Sequence, residues 1–350
     1  MTKRMVIASL ARRSCLARAT KGLLGLRLGS GPQTASVLGA ATLLMSGCAS
    51  QTGVLRGHRP ADLPSEVELD STPFFPQTAF NCGPAALAAV LGANGVPSDP
   101  VVLAKQVFLP ARQGSLQIEM IAAARRALVV PTRIPGSVEA IMRDLAAGHP
   151  VVVLQNLGLD VLPVWHYAVV VGYSLARQEV LLRSGVNPRE ILPLVVFELS
   201  WVRAGSWAFV VTRPGQWPAT SKQEALVEAG IGFERVAMPA LAQTVYASAL
   251  ARWPGNLALM IGLGNTAFAA GDGILAADSF ESAARLHDSA AAWINLGRTL
   301  LEAGLPDSAW RVALEAEYLN DPAWRKETTS LLRDAFAARK AARQRAGSMH

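Results

Sequence analysis

Apolar and polar positions follow different patterns in three successive stretches of the chain. Residues 33–47 form an apolar run behind a basic segment. Between about residues 70 and 212, short β-rich apolar runs alternate with turn residues, which is typical of a mixed domain of strands and helices. The predicted strands cover residues 148–154, 164–173 and 178–185. Beyond Pro214 Ala-rich helical patterns begin, which places a domain boundary near residues 213–222.

The helical half of the chain repeats with a period of about 33 residues. The pair Leu263-Gly264 returns as Leu296-Gly297, and small residues recur at matching offsets after each pair. This pattern resembles the tetratricopeptide repeat, in which small residues let two antiparallel helices pack closely. The three predicted repeats cover residues 223–256, 257–289 and 290–323, and a capping helix with a tail follows over residues 324–350.

Two roles remain open for this repeat array. Such arrays present a concave surface that binds a peptide or a protein partner. Alternatively, the array braces the preceding domain.

The charge of the chain is concentrated near its beginning. The formal net charge is +7, and residues 1–48 hold seven basic residues and no acidic one. The remaining 26 basic residues balance the 26 acidic residues. A broad nucleic-acid surface is therefore not expected. The three cysteines are Cys15, Cys48 and Cys82, too few for a disulfide scaffold.

The first apolar run has the features of a secretory signal. It is too short to span a bilayer comfortably, and it ends in Leu44-Met45-Ser46-Gly47-Cys48. This ending resembles the lipobox of bacterial lipoproteins, which implies that residues 1–47 are a signal peptide and that Cys48 carries the lipid. Because no Asp follows Cys48, the resemblance favours the periplasmic face of the outer membrane. Residues 48–70 are polar and without periodicity, and they predict a tether.

Cys82 lies at the start of a predicted helix. Asn81 precedes it as a candidate N-cap, and the apolar residues from Leu87 onward predict that the helix is buried. A thiol at a helix N-terminus experiences the positive end of the helix dipole, so we expect a lowered pKa and a nucleophilic thiolate. Gln77 could present its amide to a developing oxyanion. His166, predicted to start a strand at the edge of the sheet, is the candidate base.

These segments resemble the papain-like cysteine peptidases of the bacteriocin-processing type, which cut leader peptides after double glycine. The resemblance rests on Gln77, on the segment from Cys82 to Ala85 and on His166-Tyr167, and it covers about residues 71–214. It implies an α+β papain-like domain with an N-terminal catalytic helix and an antiparallel sheet, followed by the all-α repeat array. In it, Cys82 would be the nucleophile, His166 the general base and Gln77 the oxyanion donor.

The chain departs from the family pattern at two positions. Gln77 precedes the cysteine by five residues instead of six. The family places Asp or Asn on the strand after the histidine to orient the imidazole, whereas this chain has Ser184 there, with Asn187 as the alternative.

Two functions follow from these predictions. The first is a lipid-anchored cysteine peptidase that acts on a peptide or protein substrate. The second is an adaptor with a catalytically weak or inactive peptidase fold that binds peptide or protein partners through its repeats. The sequence has no metal-binding or nucleotide-binding motif, so we expect no cofactor and no metal.

Overall fold

The computed structural model describes residues 50–77 and 81–347. All described residues belong to one compact unit, Ala49–His350. The predicted signal peptide over residues 1–47 and the predicted lipidation site Cys48 lie outside the described residues. None of the described helices is both long and apolar enough to cross a bilayer.

The first half of the described chain is built around a large antiparallel sheet. Its strands are β1 (Glu66–Glu68), β4 (Val130–Arg133), β5 (Val151–Asn156), β6 (Trp165–Ser174), β7 (Glu179–Ser184), β8 (Asn187–Pro193) and β9 (Ala208–Thr212). They pair in the order β4-β9-β5-β6-β7-β8, and β1 pairs with the end of β6. A separate two-stranded ribbon consists of β2 (Phe108–Leu109) and β3 (Gly114–Ser115).

Helices cover both faces of this sheet. They are α1 (Ser50–Gly57), α2 (Cys82–Ala93), α3 (Pro100–Val107), α4 (Gln117–Arg126), α5 (Val138–Ala146) and α6 (Leu194–Arg203). Helices α2, α3 and α4 share a core with one face, and α1, α5 and α6 share a core with the other. Strand β5 lies between two neighbours and is buried on both faces, which explains the apolar run of its first four residues, 151–154.

The segment predicted as a tether is folded into this domain. Helix α1 begins at Ser50, and its Leu55 is buried in the core beside α5 and α6. The backbone N–H groups of Gln51 and Thr52 donate to the buried carboxylate of Glu198, at 3.1 and 2.8 Å. The tether prediction is therefore wrong for residues 50–70. These elements are short and held by residues far along the chain, so they leave no periodicity in the sequence.

The second half is the predicted all-α array. Its helices are α7 (Gln223–Arg235), α8 (Pro239–Arg252), α9 (Leu257–Ala269), α10 (Gly273–His287), α11 (Ala290–Glu302), α12 (Pro306–Tyr318) and α13 (Arg325–Gly347). Glycines permit the close packing: a Cβ at Gly230 would lie 2.3 Å from the ring of Tyr246, and one at Gly264 would lie 2.5 Å from the ring of Phe280. The array thus has tetratricopeptide-type helix pairs.

The array packs directly against the sheet domain. Helix α7 covers the edge strand β4, where Leu226 and Phe233 share a core with Val130. The segment between the two halves is held by the buried carboxylate of Asp144, which accepts hydrogen bonds from the backbone N–H of Ala219, at 2.7 Å, and from the Thr220 hydroxyl. The array is therefore part of one packed body with the sheet domain.

Candidate active site

Cys82 is the first residue of α2, as predicted. The rest of this helix is buried against the sheet, which fixes the position of its N-terminus. Asn81 occupies the N-cap position, but its side chain does not make the predicted capping hydrogen bond to the helix. A Cβ at Gly83 would lie 2.7 Å from Ser115 Oγ, so this glycine lets β3 approach the first turn of α2.

His166 lies at the beginning of β6. This strand pairs with β5 on one side and with β7 on the other, so it is not an edge strand, but His166 itself lies at the start of the strand, as predicted. The imidazole is nevertheless reachable, because it is the second residue of the strand and lies where the sheet ends. His166 and Cys82 line the same cavity, which has a volume of about 810 Å³.

Ser184 is the side chain that contacts the imidazole. Its Oγ lies 2.9 Å from His166 Nε2, and the residue is buried at the end of β7. Asn187 pairs with Ser184 across the β7–β8 turn, and its side chain is exposed and accepts a hydrogen bond from the N–H of Arg189. Of the two candidates, the geometry thus selects Ser184 as the group on His166.

Gln77 reaches the same cavity from the segment before α2. Its backbone N–H donates to the carbonyl of Gly185 at 2.9 Å, next to Ser184. Its side-chain Oε1 is buried, and no described residue forms a hydrogen bond with it. The structure therefore brings three predicted site residues, Gln77, Cys82 and His166, to one cavity, with Ser184 behind the histidine.

Burial is the main influence on the pKa values of the Cys82 thiol and the His166 imidazole. It raises the pKa of the Cys82 thiol, although the N–H groups of Tyr167, Gly83 and Cys82 itself act in the opposite direction. It lowers the pKa of His166, and the charge of Glu190 partly opposes that shift. The expectation of a lowered thiol pKa is therefore wrong. Both shifts favour a neutral thiol beside a neutral imidazole in the resting site.

Three residues around the site were not predicted. Tyr167 follows His166, donates its N–H toward Cys82, and donates its hydroxyl to the Ser115 carbonyl at 3.1 Å. In the sequence, the signal for its place in the site was its position directly after His166. Ser115 and Glu190 come from β3 and β8, and their approach to the site depends on sheet pairing that no local pattern reveals.

An apolar loop borders the cavity. Residues 157–164 connect β5 to β6, and their exposed side chains include Leu159, Val161 and Leu162. The Asn156 carboxamide holds the base of the loop by accepting from the N–H groups of Gly158 and Val164, at 3.0 and 2.9 Å. Within the described residues, no three His, Cys, Asp or Glu side chains gather closely enough to hold a metal ion.

Comparison with known proteins gives a family match for the sheet domain. Residues 69–208 match the sequence model of the Peptidase_C39 like family, which confirms the resemblance to bacteriocin-processing peptidases. No curated protein matches the chain.

Solved structures resemble each half of the chain. A putative C39-like peptidase from Bacillus anthracis is 20% identical, with a TM-score of 0.37, over 43% of this chain and 98% of that chain. The peptidase domain of Streptococcus ComA is 18% identical, with a TM-score of 0.34, over 41% of this chain and 98% of that chain. The Sgt2 TPR domain from Aspergillus fumigatus is 17% identical, with a TM-score of 0.33, over 35% of this chain and 82% of that chain.

Proposed function

Because residues 69–208 match the model of the Peptidase_C39 like family, we propose that the protein is a cysteine peptidase that hydrolyses peptide bonds. The observation that carries this proposal is the shared cavity: Cys82, His166 and Gln77 line it together, and Ser184 contacts the imidazole from behind. A nucleophile, a base and an amide for the oxyanion are the groups that acyl transfer needs.

The geometry supports one order of events. With Nε2 of His166 facing Ser184, Nδ1 is the nitrogen that accepts the proton of the Cys82 thiol. The thiolate attacks the substrate carbonyl carbon, and the oxyanion binds the Gln77 amide and the N–H of Cys82. His166 returns the proton to the leaving amine, which breaks the peptide bond. Water, losing a proton to His166, then attacks the thioester; the C–S bond breaks, the acid product leaves, and the proton returns from His166 to the Cys82 sulfur.

Two observations favour a second candidate, a peptidase-fold adaptor. Ser184 orients the imidazole but cannot stabilise imidazolium as a carboxylate does. Burial also favours the neutral thiol over the thiolate. Both features lower the expected reactivity of Cys82. In this second function the cavity holds a peptide without cleaving it, and the repeat array recruits a protein partner.

The setting of the peptidase is part of the proposal. The lipobox ending at Cys48 supports a lipid-anchored protein of the bacterial cell envelope, with the periplasmic face of the outer membrane favoured. The variant Cys48→Ser should move the protein from the membrane fraction to the soluble fraction. Equal membrane partitioning of this variant and the parent would contradict the anchor.

The helix pairs of the array support a protein partner on its concave surface.

A thiol-reactive peptide electrophile tests the catalytic proposal. We expect labelling of the parent protein at Cys82 and its loss in Cys82→Ser and in His166→Ala. His287→Ala is a matched control, because this exposed histidine lies in the array and bonds only the Gly255 carbonyl. Labelling that survives in His166→Ala would contradict the role of the base. Labelling without turnover of any peptide would favour the adaptor.

A further inference from the structure

Helix α6 has an apolar outer face. Its inner side chains are buried in the core, whereas Val195, Val196 and Val202 are 37%, 48% and 44% exposed. Leu199 lies between them on the same side and is partly exposed. A contiguous apolar surface on one helix is typical of an interaction site.

The first turn of α1 is fixed beside this face. Glu198 of α6 accepts hydrogen bonds from the N–H groups of Gln51 and Thr52 and from the Thr52 hydroxyl. Val195 lies one turn before Glu198 on the helix, and Val202 lies one turn after it. The exposed α6 face therefore adjoins the start of α1.

The position of α1 relative to the proposed lipid site identifies what covers the face. Only Ala49 separates Cys48 from Ser50, the first residue of α1. Two residues span at most about 7 Å of chain. We propose that the face formed by Val195, Val196, Leu199 and Val202 rests on the lipid bilayer. This inference rests on the lipid anchoring proposed above.

The chemistry of the face fits the boundary between head groups and acyl chains. The four side chains are aliphatic and uncharged, and Arg203 follows them at the end of the helix, exposed and able to meet lipid phosphates. Its guanidinium donates to the Asn156 carbonyl at 3.1 Å, which holds the charge at the border of the apolar face.

This placement has a consequence for the active site. Ala204, the residue after α6, lines the catalytic cavity together with Val164 of the apolar loop and Trp165 of β6. A bilayer beneath α6 would therefore meet the cavity rim at Ala204, although Cys82 itself lies on α2, on the other face of the sheet.

Vesicle binding with one synthetic acyl chain tests the face. The probe is the mature chain from Cys48 with Cys82→Ser, coupled at Cys48 to a single saturated chain and mixed with phosphatidylethanolamine–phosphatidylglycerol vesicles. One chain alone gives marginal binding, so a contribution from the protein surface is measurable. We expect the double variant Val195→Asp and Val202→Asp to weaken the partition coefficient at least about tenfold.

The matched control lies on the other side of the sheet. Val101 and Ile118 are 66% and 69% exposed, on α3 and α4, and Val101→Asp with Ile118→Asp should leave the partition coefficient unchanged. Equal weakening by both pairs, or by neither, would overturn the proposal. It would also be overturned if Val195→Asp and Val202→Asp only converted a dimer to a monomer, since the face would then bind a second copy.

The synthetic acyl chain separates the proposal for the α6 face from the proposal of native lipidation at Cys48. It is attached chemically, so the vesicle result does not depend on lipidation in the cell. A positive vesicle result with a Cys48→Ser variant that stays in the membrane fraction would support the face and contradict the native anchor.

Discussion

The two halves of the described chain are held together in different ways. In the sheet domain, decisive contacts join residues far apart in sequence: Glu198 accepts from Gln51, 147 residues away. In the array, each helix packs mainly on its neighbours in the sequence, as Gly264 does under Phe280. We therefore expect a change in the array to act locally, and a change at one of the long-range contacts to loosen distant segments.

The largest expected effect is at Glu198. The change Glu198→Ala removes the acceptor of two backbone N–H groups and the Thr52 hydroxyl, and it leaves these buried donors unsatisfied. We expect the free energy of unfolding to fall by about 3 kcal/mol. Denaturant unfolding of the purified protein measures this loss.

Glu281 is the matched control in the array. It pairs with Arg285 one turn away on the exposed surface of α10, so Glu281→Ala should cost less than about 0.5 kcal/mol. Similar losses in both variants would contradict the contrast between the two halves.

The same contrast explains which features were predictable from the sequence. The repeat period identified the array, because its contacts are local and recur at fixed offsets. The Cys82 helix and the His166 strand were also predictable, since each carries a local pattern. The fold of residues 50–70 depends on partners from distant strands and helices, for which the sequence has no local signal. The approach of Glu190 to His166 depends on the registers of the β6–β7 and β7–β8 pairs, which the sequence pattern does not reveal.

One glycine in each half allows the halves to be compared by substitutions with a similar expected loss of stability. A Cβ at Gly172 would lie 2.4 Å from the carbonyl oxygen of Val67, and one at Gly264 would lie 2.5 Å from the ring of Phe280. We expect Gly172→Ala and Gly264→Ala each to lower the free energy of unfolding by about 2 kcal/mol. Hydrogen exchange should separate them, because Gly172→Ala displaces β1 whereas Gly264→Ala loosens only α9 and α10.

Gly148 is the control for these variants, because a side chain there meets no steric clash. A Cβ there would meet no atom within 4 Å, and its positive φ of 86° is the remaining cost of a side chain. Gly148→Ala should therefore alter exchange only in its own turn. Loss of exchange protection across the array in Gly172→Ala would contradict the predicted pattern.

A smaller effect is expected at Ser184. The change Ser184→Ala removes one hydrogen bond to the imidazole and leaves the nucleophile in place. A neutral hydrogen bond contributes about 1 kcal/mol, so labelling of Cys82 should slow by roughly three- to tenfold. Ser184→Thr keeps the hydroxyl and should retain most of the rate. A normal rate in Ser184→Ala together with a slow rate in Asn187→Ala would show that Asn187 orients His166.

The smallest effect concerns the charge of Glu190. That charge raises the pKa of His166 against the lowering caused by burial, so Glu190→Gln should lower this pKa further. The imidazole would then remain neutral, and able to accept the thiol proton, at more acidic pH. We expect the acid limb of the labelling rate against pH to move to lower pH, with little change near neutrality. Glu179→Gln, at the far end of the same strand pair, should leave the acid limb in place. An unmoved limb in Glu190→Gln would show that the charge of Glu190, which the β7–β8 hairpin brings near His166, does not tune the base.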